Sequence, residues 1–145
     1  MKSIILLIFL FVANSTLLAQ PESYIGNYTK RSESTQSKSI LEYSLTLNSD
    51  STFLIHIYRN LDPSQPEENW FGKGTWKLEG THTLVFYSNE QSDLDEKYTL
   101  NCTNTKARSN RKSPRNTSLK VQKESLRFFQ SEILWLKGLE LFKTE

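Results

Sequence analysis

The residue types in this chain that could carry chemistry are two histidines, His56 and His82, one cysteine, Cys102, and a run of cations with no acid among them. An imidazole is the side chain that most readily moves protons near neutral pH, so the histidines come first. Neither has the surroundings that activate a nucleophile or hold a metal: no G-x-S-x-G and no H-E-x-x-H occurs. His56 lies between Ile55 and Ile57, and His82 follows the turn residues Gly80-Thr81. A metal site built from both histidines with Glu79 or Asp50 finds no support in their spacing. The expectation is a protein that is not an enzyme and that needs neither cofactor nor metal.

Cys102 stands alone, so no internal disulfide can form. It falls with Tyr98 and Leu100 on the apolar side of KYTLNCT, the setting of a small buried hydrophobe. The rival reading is a disulfide between molecules, which an odd cysteine in an exported chain always raises. The cationic run comprises Lys106, Arg108, Arg111, Lys112, Arg115, Lys120 and Lys123, interleaved with Asn, Ser and Thr. Within it, Lys106, Arg108, Arg111, Lys112 and Arg115 are the candidate contacts for a polyanion or partner: anionic lipid head groups, lipopolysaccharide phosphates or an acidic protein. Nucleic acid fits poorly. The whole chain has 18 Lys plus Arg against 16 Asp plus Glu, a net of only +2, and no aromatic interrupts the run to stack on bases.

The N-terminus has the anatomy of an export signal. Lys2 precedes the apolar run Ile4 to Ala13, polar Asn14, Ser15 and Thr16 break it, and Leu17-Leu18-Ala19 offers a small residue at the cut. The run is too short to span the roughly 30 Å hydrocarbon core as a helix. Residues 1–19 are therefore expected to be a secretory signal peptide and residues 20–145 one domain, secreted or periplasmic, with no transmembrane segment.

Beyond residue 23 the chemistry-bearing residues are carried on strand patterns. Leu41, Tyr43, Leu45 and Leu47 alternate with Glu42, Ser44 and Thr46. Asn48 to Ser51 is turn chemistry, because Asn and Asp side chains bond their own backbone. Residues 52–60 return as a β-branched and aromatic strand, on which the apolar set Phe53, Ile55 and Ile57 is expected to face inward. Trp70, Gly72, Gly74, Trp76 and Leu78 share one face of the next strand, where the glycines permit sharp curvature or close approach of a neighbour. Residues 82–88, 97–103 and 138–142 read as further strands, with short apolar stretches at 119–121, 126–129 and 133–136. Residues 30–39 and the basic segment 104–118 read as loops. A helix over 125–136 is a minor alternative, since its apolar positions share no clean face.

About eight short strands joined by hairpins predict an all-β single antiparallel up-and-down barrel, with a β-sandwich as the alternative. Closure removes exposed strand edges, and eight strands leave room for packed side chains or one small ligand.

Three stretches together resemble a known group. They are Gly26-Asn27-Tyr28, LTLNSDSTFLI at 45–55 and GKGTWKLEGTHTLVF at 72–86. An initial Gly-x-aromatic, a strand-turn-strand of the form L-x-x-D-x-T-F, and a G-x-W strand followed by a tight turn resemble the lipocalin-like (calycin) small secreted β-barrels of Gram-negative, Bacteroidetes-type bacteria. The Ala19-Gln20 junction is similar to export signals of that group, and the likeness spans roughly residues 24–103. It implies a secreted binding module that holds a small hydrophobic or amphipathic ligand inside the barrel. Alternation supplies candidate pocket residues: Tyr43, Leu45, Leu47, Trp70, Trp76 and Tyr98. The alternative function is a non-enzymatic envelope or surface module with a filled core that docks through its basic loop.

Overall fold

The computed structural model describes residues 21–145, so the signal segment expected at 1–19 lies outside the described residues. Eight antiparallel strands follow one another around a closed barrel: β1 (Gly26–Glu33), β2 (Ile40–Leu47), β3 (Thr52–Asn60), β4 (Glu68–Glu79), β5 (Thr83–Tyr87), β6 (Thr105–Asn110), β7 (Ser125–Gln130) and β8 (Glu140–Thr144). Each strand pairs with the next, and β8 returns to β1 through Asn27 opposite Thr144 and Thr29 opposite Phe142. That last ladder excludes the sandwich, which would leave β1 and β8 as edges. Short 3₁₀ turns at Pro21–Tyr24 and Leu134–Leu136 complete the regular structure.

Period-two alternation builds the core. Leu45 and Leu47 of β2, Phe53, Ile55 and Ile57 of β3, Trp76 of β4, Leu84 and Phe86 of β5, Leu126 and Phe128 of β7 and Leu141 of β8 are all buried in one cluster. The inward choice of Phe53, Ile55 and Ile57 over Leu54, His56 and Tyr58 is the one found. Gly72 and Gly74 stand where neighbours come too close for a side chain. A Cβ on Gly72 would lie 2.8 Å from Ile55 Cγ2 and 3.0 Å from Leu100 Cβ, and one on Gly74 would lie 2.1 Å from the Tyr87 carbonyl oxygen.

The sixth strand is not where the sequence places it. Residues 97–103 form no ladder; Tyr98 makes one isolated parallel bridge to Phe71, and the Leu100 amide donates to the Phe71 carbonyl at 3.1 Å. The segment lies across the flank of β4 that β5 leaves uncovered, pinned by Ser88. The Ser88 hydroxyl donates to the Lys73 carbonyl at 2.8 Å and accepts from the Cys102 amide at 3.1 Å. The strand is instead Thr105–Asn110, the first part of the expected 104–118 loop. Thr105, Ala107 and Ser109 are buried inward while Lys106, Arg108 and Asn110 point out. Small inward residues fit here because Ala107 lies between Leu84 of β5 and Phe128 of β7, whose bulk fills the space.

Smaller differences have similar causes. β1 runs on to Glu33 into the expected 30–39 loop, its polar residues being paired with Ile40–Tyr43. Residues 119–121 belong to the β6–β7 connection, and of 133–136 an extended Ile133 leads into the 3₁₀ turn Leu134–Leu136. Ser125–Gln130, the start of the alternative helix, is strand β7 between β6 and β8.

Two buried groups make the fold sensitive to alkali. Burial pushes the Cys102 thiol from its ordinary 9.0 up to about 12, and the Tyr28 phenol from 10.0 to about 12. Tyr28 is enclosed and donates to the Tyr24 carbonyl at 2.8 Å. Both ionise less readily folded than unfolded, so the stability tied to their protonated forms is complete below pH 9 and is lost as pH rises through about 12. Alkaline titration followed by circular dichroism should show the unfolding midpoint in urea falling above pH 9. Native protein at pH 8 should also resist a thiol reagent that labels Cys102 promptly in denaturant. Prompt labelling of the native chain would contradict the buried placement.

Candidate functional site

The two ends of the barrel differ. One end is stoppered by the 3₁₀ turn Pro21–Tyr24. The Tyr24 hydroxyl donates to the Thr81 carbonyl at 2.5 Å, and the Arg111 guanidinium lies 4.1 Å over the Tyr24 ring. Arg111 also donates to the Ser23 carbonyl and pairs with Glu124 at 3.4 Å, and Lys143 pairs with the same carboxylate at 3.5 Å. Two cations share one acid and one carbonyl, which ties the N-terminal turn to β8 and to both ends of the β6–β7 connection.

The opposite end is open and holds a cavity of about 400 Å³, lined by Leu41, Tyr43, Ile57, Arg59, Trp70, Leu100 and Trp135. Its position follows from strand phase. Leu41 and Tyr43 continue the inward face of β2 beyond Leu45, Ile57 and Arg59 continue that of β3, and Trp70 begins that of β4. Leu100 is supplied by the covering segment, and Trp135 by the second 3₁₀ turn. That turn is held by the Leu136 amide bonding the Ile133 carbonyl at 3.0 Å, with Leu136 buried beneath. The Trp135 ring is 6.2 Å from that of Tyr43, so the β7–β8 connection roofs the cavity with an aromatic pair.

One cation sits in this apolar wall. Arg59 lies 4.8 Å over the Trp70 ring and is bonded to Glu68. The Arg59 hydrogen bond holds the Glu68 carboxyl below its ordinary range. Burial pushes the Tyr43 phenol up, against the opposing pull of Arg59. The mouth thus offers aromatic faces, aliphatic side chains and one guanidinium, the mixture that orients an amphipathic molecule.

Of the candidate pocket residues, Tyr43 and Trp70 line the cavity. Leu45, Leu47 and Trp76 fill the core beneath it. Tyr98 lies on the outer side, its ring 6.1 Å from that of Phe71, with the Lys73 ammonium 4.4 Å from its centre. Sequence reasoning passed over Arg59 and Trp135. Arg59 was in plain phase with Phe53, Ile55 and Ile57, and that phase was the available signal.

The cationic run is divided by the fold. Lys106 and Arg108 belong to the outer wall of β6, where Lys106 pairs with Glu79 at 3.3 Å and Arg108 lies 5.8 Å over Phe129. Arg111 is part of the stopper. Lys112, Arg115, Lys120 and Lys123 remain in the exposed β6–β7 connection, with Lys112 bonded to the Ser118 carbonyl. The histidines lie elsewhere. His56 stacks on Phe71 at 4.3 Å on the outer wall and bonds Asn69 at 2.8 Å, and His82 is exposed at the β4–β5 turn.

The geometry defines a closed, eight-stranded up-and-down barrel, filled at one end and open at the other. Among the described residues no helix is long and apolar enough to cross a membrane, which says nothing of strands. Comparison with protein-family models, with curated proteins and with solved structures finds no match to this chain.

Proposed function

We propose that this protein is a lipocalin-like binding module, working outside the cytoplasm, that takes a small amphipathic molecule with an anionic end into the barrel mouth. The cavity of about 400 Å³ carries this reading, being within the usual range for small-molecule sites and lined by both apolar groups and a guanidinium. The apolar part of the ligand would lie among Leu41, Tyr43, Ile57, Trp70, Leu100 and Trp135. Its carboxylate or phosphate end would take the Arg59 guanidinium from Glu68. The apolar N-terminal run supports the compartment.

Native mass spectrometry of the protein purified from its own source should show a retained small molecule. Titration with a medium-chain fatty acid, read through Trp70 and Trp135 fluorescence, should saturate. Arg59→Gln is expected to weaken that binding about tenfold, the loss of one charge-assisted contact. Glu68→Gln should strengthen it by freeing Arg59. No uptake by folded protein, or equal affinity in all three forms, would remove the mouth as a ligand site.

A further inference from the structure

The β6–β7 connection has chemistry that neither the stopper nor the cavity uses. Leu119 is 100% exposed and Val121 93% exposed, the two most exposed large apolar side chains of the described residues. They flank Lys120, and Lys112, Arg115 and Lys123 lie in the same connection. Among the described residues no carboxylate pairs with any of these four cations, and the acid nearest in sequence, Glu124, is engaged by Arg111 and Lys143. The basic surface continues onto the barrel wall, where Arg108 and Arg127 face each other across the β6–β7 ladder. Like charges directly opposite on neighbouring strands repel unless an anion lies between or beside them. Both border an outer groove of about 590 Å³ with Phe129 and Glu140; Glu140 stands opposite Arg127 on β8, held by the Ser125 hydroxyl at 2.6 Å, so one carboxylate serves two guanidinium groups there.

We infer that the β6–β7 connection docks the protein on an anionic phospholipid surface, with Leu119 and Val121 entering the acyl boundary and Lys112, Arg115, Lys120 and Lys123 lying among the head groups. Charge complementarity selects an anionic surface. The apolar pair selects a bilayer over an acidic protein. Two side chains projecting singly between cations are not a contiguous patch of the kind that meets a shaped partner, whereas a fluid interface closes around each of them. Either signal alone gives weak attachment; an apolar anchor joined to a basic patch is the combination that holds a protein at a membrane. Arg108 and Arg127, at the base of the connection, extend the contact to head groups at the barrel wall. The inference stands independently of the ligand reading.

Vesicle co-sedimentation tests it, comparing phosphatidylcholine alone with phosphatidylcholine containing phosphatidylglycerol. The same N-terminal form is used throughout, so that Ile4 to Ala13, where present, contributes equally. Binding is expected only to the anionic vesicles and should fall steeply as salt rises to about 0.5 M. Serine at Lys112, Arg115, Lys120 and Lys123 should lower the partition about fivefold per cation removed. The pair Leu119→Ser and Val121→Ser should lower it at least about tenfold while leaving binding to soluble dextran sulfate unchanged. These positions lie outside the barrel ladders, and the circular dichroism spectrum reports that each variant is folded. No preference for anionic vesicles, or full binding by the Leu119/Val121 variant, would overturn the inference. The latter result would leave a soluble polyanion as the partner.

Discussion

Gly74→Ala is expected to lower the unfolding free energy by about 3 kcal/mol or more, the upper range for forcing atoms into a filled space. The obstacle is backbone. An added Cβ would lie 2.1 Å from the Tyr87 carbonyl oxygen and 3.0 Å from Phe53 Cε1. A side chain can rotate away, but Tyr87 is held in the β4–β5 ladder opposite Thr75, so relief means breaking strand pairing. Gly80→Ala is the control. Nothing lies within 4 Å of its added Cβ, although its φ of +69° favours glycine. It should cost about 1 kcal/mol. Gly74 also has a positive φ, +157°, so its loss combines backbone preference with the clash, and urea melts of the two variants show how much the clash adds. Equal, small losses would show that β4 and β5 can part at Gly74 without cost.

Phe86→Ala should cost about 4 kcal/mol, within the range for emptying a buried aromatic site. The Phe86 ring is fully buried, set edge-on to Phe53 at 5.1 Å and tilted to Phe128 at 5.7 Å. These rings come from β3, β5 and β7, on different sides of the barrel, so removing the middle one opens a void that closed strands cannot collapse to fill. Against a typical total of about 5–15 kcal/mol, the melting temperature should drop by about 15 °C. Phe129→Ala, one residue beyond Phe128 but on the outer wall, should change stability by less than about 1 kcal/mol. A similar loss in both would mean that β7 does not present its two faces as described.

The contrast between Phe128 and Phe129 also shows what was legible from residues alone. β2 was readable because apolar residues recur at every second position with polar ones between, β3 by its β-branched and aromatic content, and β4 by Trp70, Trp76 and Leu78 in one phase. β6 was hidden for the opposite reason: its inward residues are Thr105, Ala107 and Ser109, small beside the bulk of Leu84 and Phe86 on β5 and of Leu126 and Phe128 on β7. A pattern search for large hydrophobes reads such a strand as a polar loop. Residues 97–103 misled in the complementary way. Leu100 packs inward against Gly72, and Cys102 is buried, so the alternation is real. The backbone, however, is engaged by Ser88 and Phe71 instead of a neighbouring ladder, and alternation alone cannot report that.

The candidate site was legible in part for related reasons. Tyr43 and Trp70 were found because aromatics on an inward face announce themselves. Arg59 was not, because a charged residue at the end of an apolar strand reads as the point where the strand leaves the core. In a closed barrel the same phase carries it into the mouth, where Glu68 and Trp70 receive it. Trp135 depends on a 3₁₀ turn whose only sequence trace was an apolar cluster without period.

The order of strands has a consequence for how this molecule can change. A meander that goes up and down without crossing sends its connections to alternate rims. Residues 34–39, 61–67, 88–104 and 131–139 lie at the rim that holds the cavity, while 48–51, 80–82 and 111–124 lie at the rim that Tyr24 closes. No connection serves both rims, and the buried cluster lies between them. Insertions, deletions or grafts at one rim therefore leave the other with its own geometry, so selectivity at the mouth and attachment at the stoppered end can be revised as separate parts of one chain.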